Sequence, residues 1–204
     1  MSLPAGLVLM GASTGGVQAL MAVLPGLPAT LRLSVVVLLH LPPDKPSLLV
    51  ELLAPLCSLP VREPDDKELI CPGVIYVAPP NYHLMLETGD DGLHFALSVD
   101  EAVNFSRPSI DVLFESAAAA SPALPMVGMV LSGASRDGAR GAHALALAGA
   151  HVWVQDPGSA EASLMPSAAR HAVPSSTVMP LQQMAPALCR IFDVERSSTS
   201  KELR

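Results

Sequence analysis

The feature that most constrains this chain is a series of short, largely apolar runs, each closed by a loop and followed by helical spacing. Leu7-Val8-Leu9-Met10 runs into Gly11-Ala12-Ser13-Thr14-Gly15-Gly16 and then a helical stretch over 17–23. A second, β-branched run over 33–41 is too short for a helix. It precedes a Leu-rich helix around 48–53, with Asp44 as the expected cap. From Ser109 the alternation resumes, with helices expected over 109–120, 139–148, 163–172 and 181–192. Strands are expected between them over 126–132, 151–155 and 176–179. Runs that are apolar throughout suit strands buried on both faces, and strand–helix alternation implies a parallel sheet between helical layers.

The middle of the chain differs. Short alternating runs over 74–78, 83–87 and 94–98 are separated by Pro79-Pro80-Asn81-Tyr82 and Thr88-Gly89-Asp90-Asp91-Gly92. These turn signals predict antiparallel hairpins. The expected fold class is α/β: a doubly wound, mostly parallel sheet with helices on both faces and an antiparallel hairpin insertion. One domain is expected over 1–195, followed by a polar tail over 196–204.

Composition removes several function classes. Of 204 residues, 50% are apolar and 15% charged, which excludes intrinsic disorder. The longest apolar runs are broken by His40 and Pro125, far short of the ~20 residues of a spanning helix, so the chain is not expected to be membrane-embedded. A net charge of −7, no Lys/Arg cluster and 3% aromatic residues argue against nucleic acid as a partner. Cys57, Cys71 and Cys189 are odd in number and widely spaced, and no signal peptide opens the chain. Both point to a reducing, cytoplasmic location. His83, His94, His143 and His151 lack a metal-ligand spacing, so neither metal nor cofactor is expected.

Ligands of an open parallel sheet lie beyond the carboxyl ends of its strands. That directs attention to loops 11–16, 40–43 and 133–138. The first reads G-x-S-x-G, a strand-to-helix turn that can expose the Ser13 hydroxyl at a helix N-terminus. A serine nucleophile needs a base, and His40 ends the neighbouring strand. Asp137, in the third loop, is placed to orient that imidazole. The order Ser, His, Asp with one strand ahead of the serine is not that of α/β-hydrolases. A rival set, Ser13, Asp111 and His171, has the hydrolase order, but its last two members read as helical. The 11–16 turn could alternatively cradle the phosphate of a nucleotide in a regulatory module, although no G-x-G-x-x-G or G-K-[ST] pattern follows the first strand.

Several motifs in order carry a wider resemblance. They are Gly11-Ala12-Ser13-Thr14-Gly15-Gly16, His40-Leu41-Pro42-Pro43, residues 72–80, Val103-Asn104, residues 107–114, Leu131-Ser132-Gly133 and Asp137-Gly138-Ala139. Together they resemble the catalytic domain of the chemotaxis protein-glutamate methylesterases, the CheB family. The resemblance implies a serine esterase that demethylates glutamyl γ-methyl esters, and deamidates certain glutamines, in the cytoplasmic segments of chemoreceptors. It places the catalytic triad on Ser13, His40 and Asp137, with backbone N–H groups at Thr14 and Ala134 facing the oxyanion, and requires no cofactor. Leu39 stands where the family has Gln, Ala134-Ser135 where it has Met-Gly, and Phe105-Ser106 where it carries a histidine after Val-Asn. The first strand begins so near residue 1 that no amino-terminal receiver domain is expected; a separate response-regulator chain is then a candidate partner. The altered third loop also leaves open a catalytically weak scaffold of the same fold.

Overall fold

The computed structural model describes residues 5–41, 47–120 and 124–202, with side chains up to Phe192. Asp44, Pro42 and Pro43 lie outside the described residues. Seven strands form one parallel sheet: β1 (Gly6–Ala12), β2 (Leu33–Leu39), β3 (Val61–Arg62), β4 (Val74–Val77), β7 (Met126–Val130), β8 (His151–Gln155) and β9 (Thr177–Met179). Their order across the sheet is β3-β4-β2-β1-β7-β8-β9. Between β4 and β7 in the chain, β5 (His83–Gly89) and β6 (Gly92–Ser98) pair antiparallel as a separate hairpin. The helices are α1 (Gly16–Val23), α2 (Leu49–Leu53), α3 (Ile110–Ala120), α4 (Ala139–Leu147), α5 (Leu164–Ala172) and α6 (Leu181–Glu202).

The almost wholly apolar character of β1 and β2, broken by Ser34, has the expected cause. Every residue of both strands is buried, and alternate side chains feed two cores. Val8, Met10 and Ala12 join the core with Leu20, Val23 and Leu188, residues of α1 and α6. Leu7 and Leu9 join the opposite core with Phe114 and Leu145, residues of α3 and α4. A strand period of two thus sorts one apolar run onto two faces. Among the described residues no helix is long and apolar enough to cross a membrane.

Three details differ from expectation. The run at 74–77 joins the main sheet parallel to β2 rather than forming a hairpin, because Tyr76 and Ile75 are buried on opposite faces of the sheet. The two-residue β3 is too short to leave a periodic signal. Helix α6 runs on to Glu202 instead of stopping at Phe192.

Helices α3 and α4 cross closely at Gly141. A Cβ there would lie 2.6 Å from Phe114 Cβ and 3.0 Å from the Asp111 backbone. Backbone cannot yield as a flexible side chain can, so Gly141→Val is expected to cost about 1–3 kcal/mol through overpacking. A urea titration showing wild-type stability for this variant would contradict that packing.

Candidate active site

The sheet register assembles the site. Ala12 lies opposite Leu39, and the His40 N–H donates to the Ala12 carbonyl at 3.0 Å. On the other flank, the Ser13 N–H donates to the Ser132 carbonyl at 2.9 Å. Ser13 therefore leaves the carboxyl end of β1 between the chain ends of β2 and β7, at the point where connections diverge to the two sides of the sheet. Ser132 staples this edge. Its hydroxyl donates to the Thr14 carbonyl at 2.7 Å and accepts from the Ala162 N–H at 3.0 Å, while its own N–H donates to Gln155 Oε1 at 2.8 Å.

Asp137 is fully buried and its carboxylate collects five donors. Oδ2 faces His40 Nε2 at 2.8 Å and accepts from the Ile110 N–H at 2.6 Å. Oδ1 accepts from Ser109 Oγ at 2.8 Å, Asn104 Nδ2 at 2.9 Å and the Asp111 N–H at 3.1 Å. Two of these donors are free N–H groups of the first turn of α3, where the helix dipole also favours an anion. The close approach needs small neighbours. A Cβ at Gly11 would lie 2.5 Å from Ile110 Cγ2, and one at Gly138, where φ is +90°, would lie 2.8 Å from the same atom.

Burial pushes the Asp137 carboxyl up, but the hydrogen bonds from His40, Asn104, Ile110 and Ser109 outweigh it and hold the group below the usual carboxylate range. Asp111 goes the other way. Burial raises it, and the nearby Asp137 charge adds to the rise against the Gly141 N–H bond. Asn104 spans the two carboxylates, donating from Nδ2 to Asp111 Oδ2 at 2.8 Å as well as to Asp137.

His40 turns Nε2 toward Asp137, so a carboxylate holds the N–H there and Nδ1 is the nitrogen left to accept a proton. Nδ1 has Ser106 Oγ at 3.4 Å. Among the described residues, the Ser13 hydroxyl makes no hydrogen bond to His40, although the register places the two residues side by side. Thr14 and Ala134 are both exposed, and neither N–H donates to another described residue. A cavity of about 410 Å³ opens beside His40, lined also by Leu41, Asn81, Phe105, Ser106 and Arg107.

The rival set is not assembled. Asp111 sits behind Asp137, bonded to Asn104 and Gly141, while His171 lines a different cavity with Ser167 and Arg170. Leu39 is buried in the core; a Cβ on Gly16 would lie 2.5 Å from its Cδ1. Sequence reasoning missed Asn104 and Ser109 as partners of Asp137. Ser109 carried a signal, since it immediately precedes a helix; Asn104 carried none beyond its motif. Among the described residues no three His, Cys, Asp or Glu side chains converge as a metal site would require.

A doubly wound parallel α/β protein with a serine turn and a histidine held by a buried aspartate at its carboxyl edge is therefore the class in hand. Residues 8–188 match the family model described as CheB methylesterase. A Leptospira interrogans protein, provisionally named protein-glutamate methylesterase/protein-glutamine glutaminase, is 38% identical over 90% of this chain and 93% of its own. A Nitrobacter hamburgensis protein-glutamate methylesterase/protein-glutamine glutaminase is also 38% identical, over 93% of this chain and 50% of its own length. The crystal structure of the Thermotoga maritima CheB methylesterase catalytic domain superposes with a TM-score of 0.88 at 28% identity, covering 93% of this chain and all of that one. This chain belongs to the CheB methylesterase family.

The lowered Asp137 pKa has a defined consequence for stability. Its contribution is fully present above the unfolded carboxylate value of about 3.9 and is lost as pH falls through the lower folded value. Asp137→Asn is expected to flatten the acid limb of the stability–pH curve. Equal acid slopes for the two proteins in urea titrations would show that this carboxylate is not held below its unfolded pKa.

Proposed function

We propose that this chain is a protein-glutamate methylesterase with protein-glutamine glutaminase activity, acting in the cytoplasm on methylated helical segments of chemoreceptors. Ser13 is the nucleophile, His40 the base and Asp137 its orienting carboxylate. The observation that carries this reading is the His40–Asp137 pair, held at 2.8 Å and in register beside a turn in which Ser13 is half-buried and Thr14 exposed. The family membership and the names of the relatives support the substrate class.

The chemistry follows from the atoms present. Ser13 Oγ adds to the ester carbonyl carbon while His40 Nδ1 takes the hydroxyl proton. Asp137 stabilises the resulting imidazolium through Nε2. The oxyanion that forms faces the N–H groups of Thr14 and Ala134, which donate to no other described residue. Collapse breaks the C–O bond to the methoxy group, and the imidazolium proton leaves with it as methanol. Water then adds to the acyl-serine with His40 again as base, releasing glutamate and restoring Ser13. With a glutamine the leaving group is ammonia, and the second half is the same.

Triad members act as a unit, so removing one removes most of what removing both would. Ser13→Ala is expected to lower kcat/KM by ~10⁴-fold or more, and Ser13→Ala/His40→Ala to be within a few-fold of either single variant. Multiplicative losses in the double variant would separate these residues mechanistically. Mass spectrometry of a methylated receptor fragment tests the reaction itself. Each ester site should lose one CH₂ with wild type and keep it with Ser13→Ala; no change with wild type would sink the methylesterase reading.

A further inference from the structure

Residues 103–106 form a tight reverse turn. Val103 and Ser106 exchange both backbone hydrogen bonds, at 3.1 and 3.0 Å, and the two residues between them are left-handed, Asn104 at φ 53° and Phe105 at φ 62°. This is the two-residue connection in which both central residues need positive φ, normally met by Asn followed by Gly. Asn104 suits it. Phe105 does not, because an L residue with a large side chain rarely sits there. Its ring gains no burial in return, since the residue is fully exposed.

An outlier of this kind, both strained and wet, points to a role outside the folded chain. The turn is also pinned to the catalytic apparatus at both ends. Asn104 donates to Asp137 and Asp111, and Ser106 Oγ lies 3.4 Å from His40 Nδ1. The tip that projects between them therefore holds a fixed position at the rim of the cavity that His40 also lines. Arg107 fixes the turn's exit, donating to Asn81 Oδ1 and to the Val99 and Asp100 carbonyls, so the ring stands on a braced base.

We propose that Phe105 is a specificity-determining residue that grips the protein substrate. Its ring packs against an apolar side chain on the face of the receptor helix that carries the modified glutamate. Residues three or four apart share a helix face, so an apolar side chain one turn from that glutamate falls beside it. The contact lies next to the reacting ester without touching it, and so acts on KM more than on kcat. This rests on the methylesterase reading above and deepens it by naming what the site recognises beyond the ester.

The test measures methanol release from a methylated receptor fragment by the full chain and its Phe105 variants. Phe105→Ala is expected to raise KM at least fivefold with kcat within twofold, and Phe105→Leu to recover most of the loss. Loss of kcat/KM for p-nitrophenyl acetate, too small to reach the turn tip, should be far less. Phe105→Gly should show the same KM defect with an equal or higher Tm, because glycine relaxes the backbone; that variant separates lost recognition from lost folding. An unchanged KM in Phe105→Ala overturns the proposal, and so does an equal loss on both substrates, which would mean the turn acts through His40. A wild type that dimerises where Phe105→Ala is monomeric overturns it too, since a second copy would then be the occupant. Absence of Ser13-dependent release by wild type is a different result: it defeats the methylesterase reading, and this inference with it.

Discussion

A buried carboxylate with no exposed atom is costly unless every lone pair is answered, and Asp137 sets that requirement for its surroundings. Its donors come from four places in the chain: the end of β2, the 103–106 turn, the start of α3 and Ser109 just before it. Satisfying one ion therefore fixes the relative position of all four. The same donors align His40, since the imidazole is one of them. Holding the carboxylate ionised and orienting the histidine are one structural task.

A second consequence concerns Asp111. Two buried carboxylates so close would repel, and the structure divides their roles. Asp137 takes the cation-capable imidazole and two helix N–H groups, while Asp111 takes the Gly141 N–H and shares Asn104. Their shifts in opposite directions express that division. Asn104 gives only hydrogens to either side, so its amide has one workable orientation and its turn is held accordingly.

Much of this architecture is legible in the sequence. β1, β2 and β7 declare themselves because strands buried on both faces are almost entirely apolar, and the loops after them mark the sheet edge where Ser13, His40 and Asp137 lie. What was hidden depended on partners far away in the chain. Nothing local distinguishes Asn104 from any turn asparagine; its function arises only once α3 docks against Gly11 and Gly138. The run at 74–77 looked like half of a hairpin because alternation does not reveal which edge a strand will find. The departures from the family pattern sort in the same way. Leu39 faces the core behind the site, whereas Phe105 and Ser106 border the cavity beside His40.

The position of β1 has a consequence for synthesis. Among the strands of this sheet it comes first in the chain, yet it sits in the middle, with β2 on one side and β7 on the other. Leu7 pairs with Met126, 119 residues later in the chain. While the chain emerges from the ribosome, β1 can pair early with β2, but its other edge stays open, apolar and without a partner until β7 arrives. The nascent sheet thus presents a sticky central strand until β7 has been made. Pairings with so long a separation also make for slow closure.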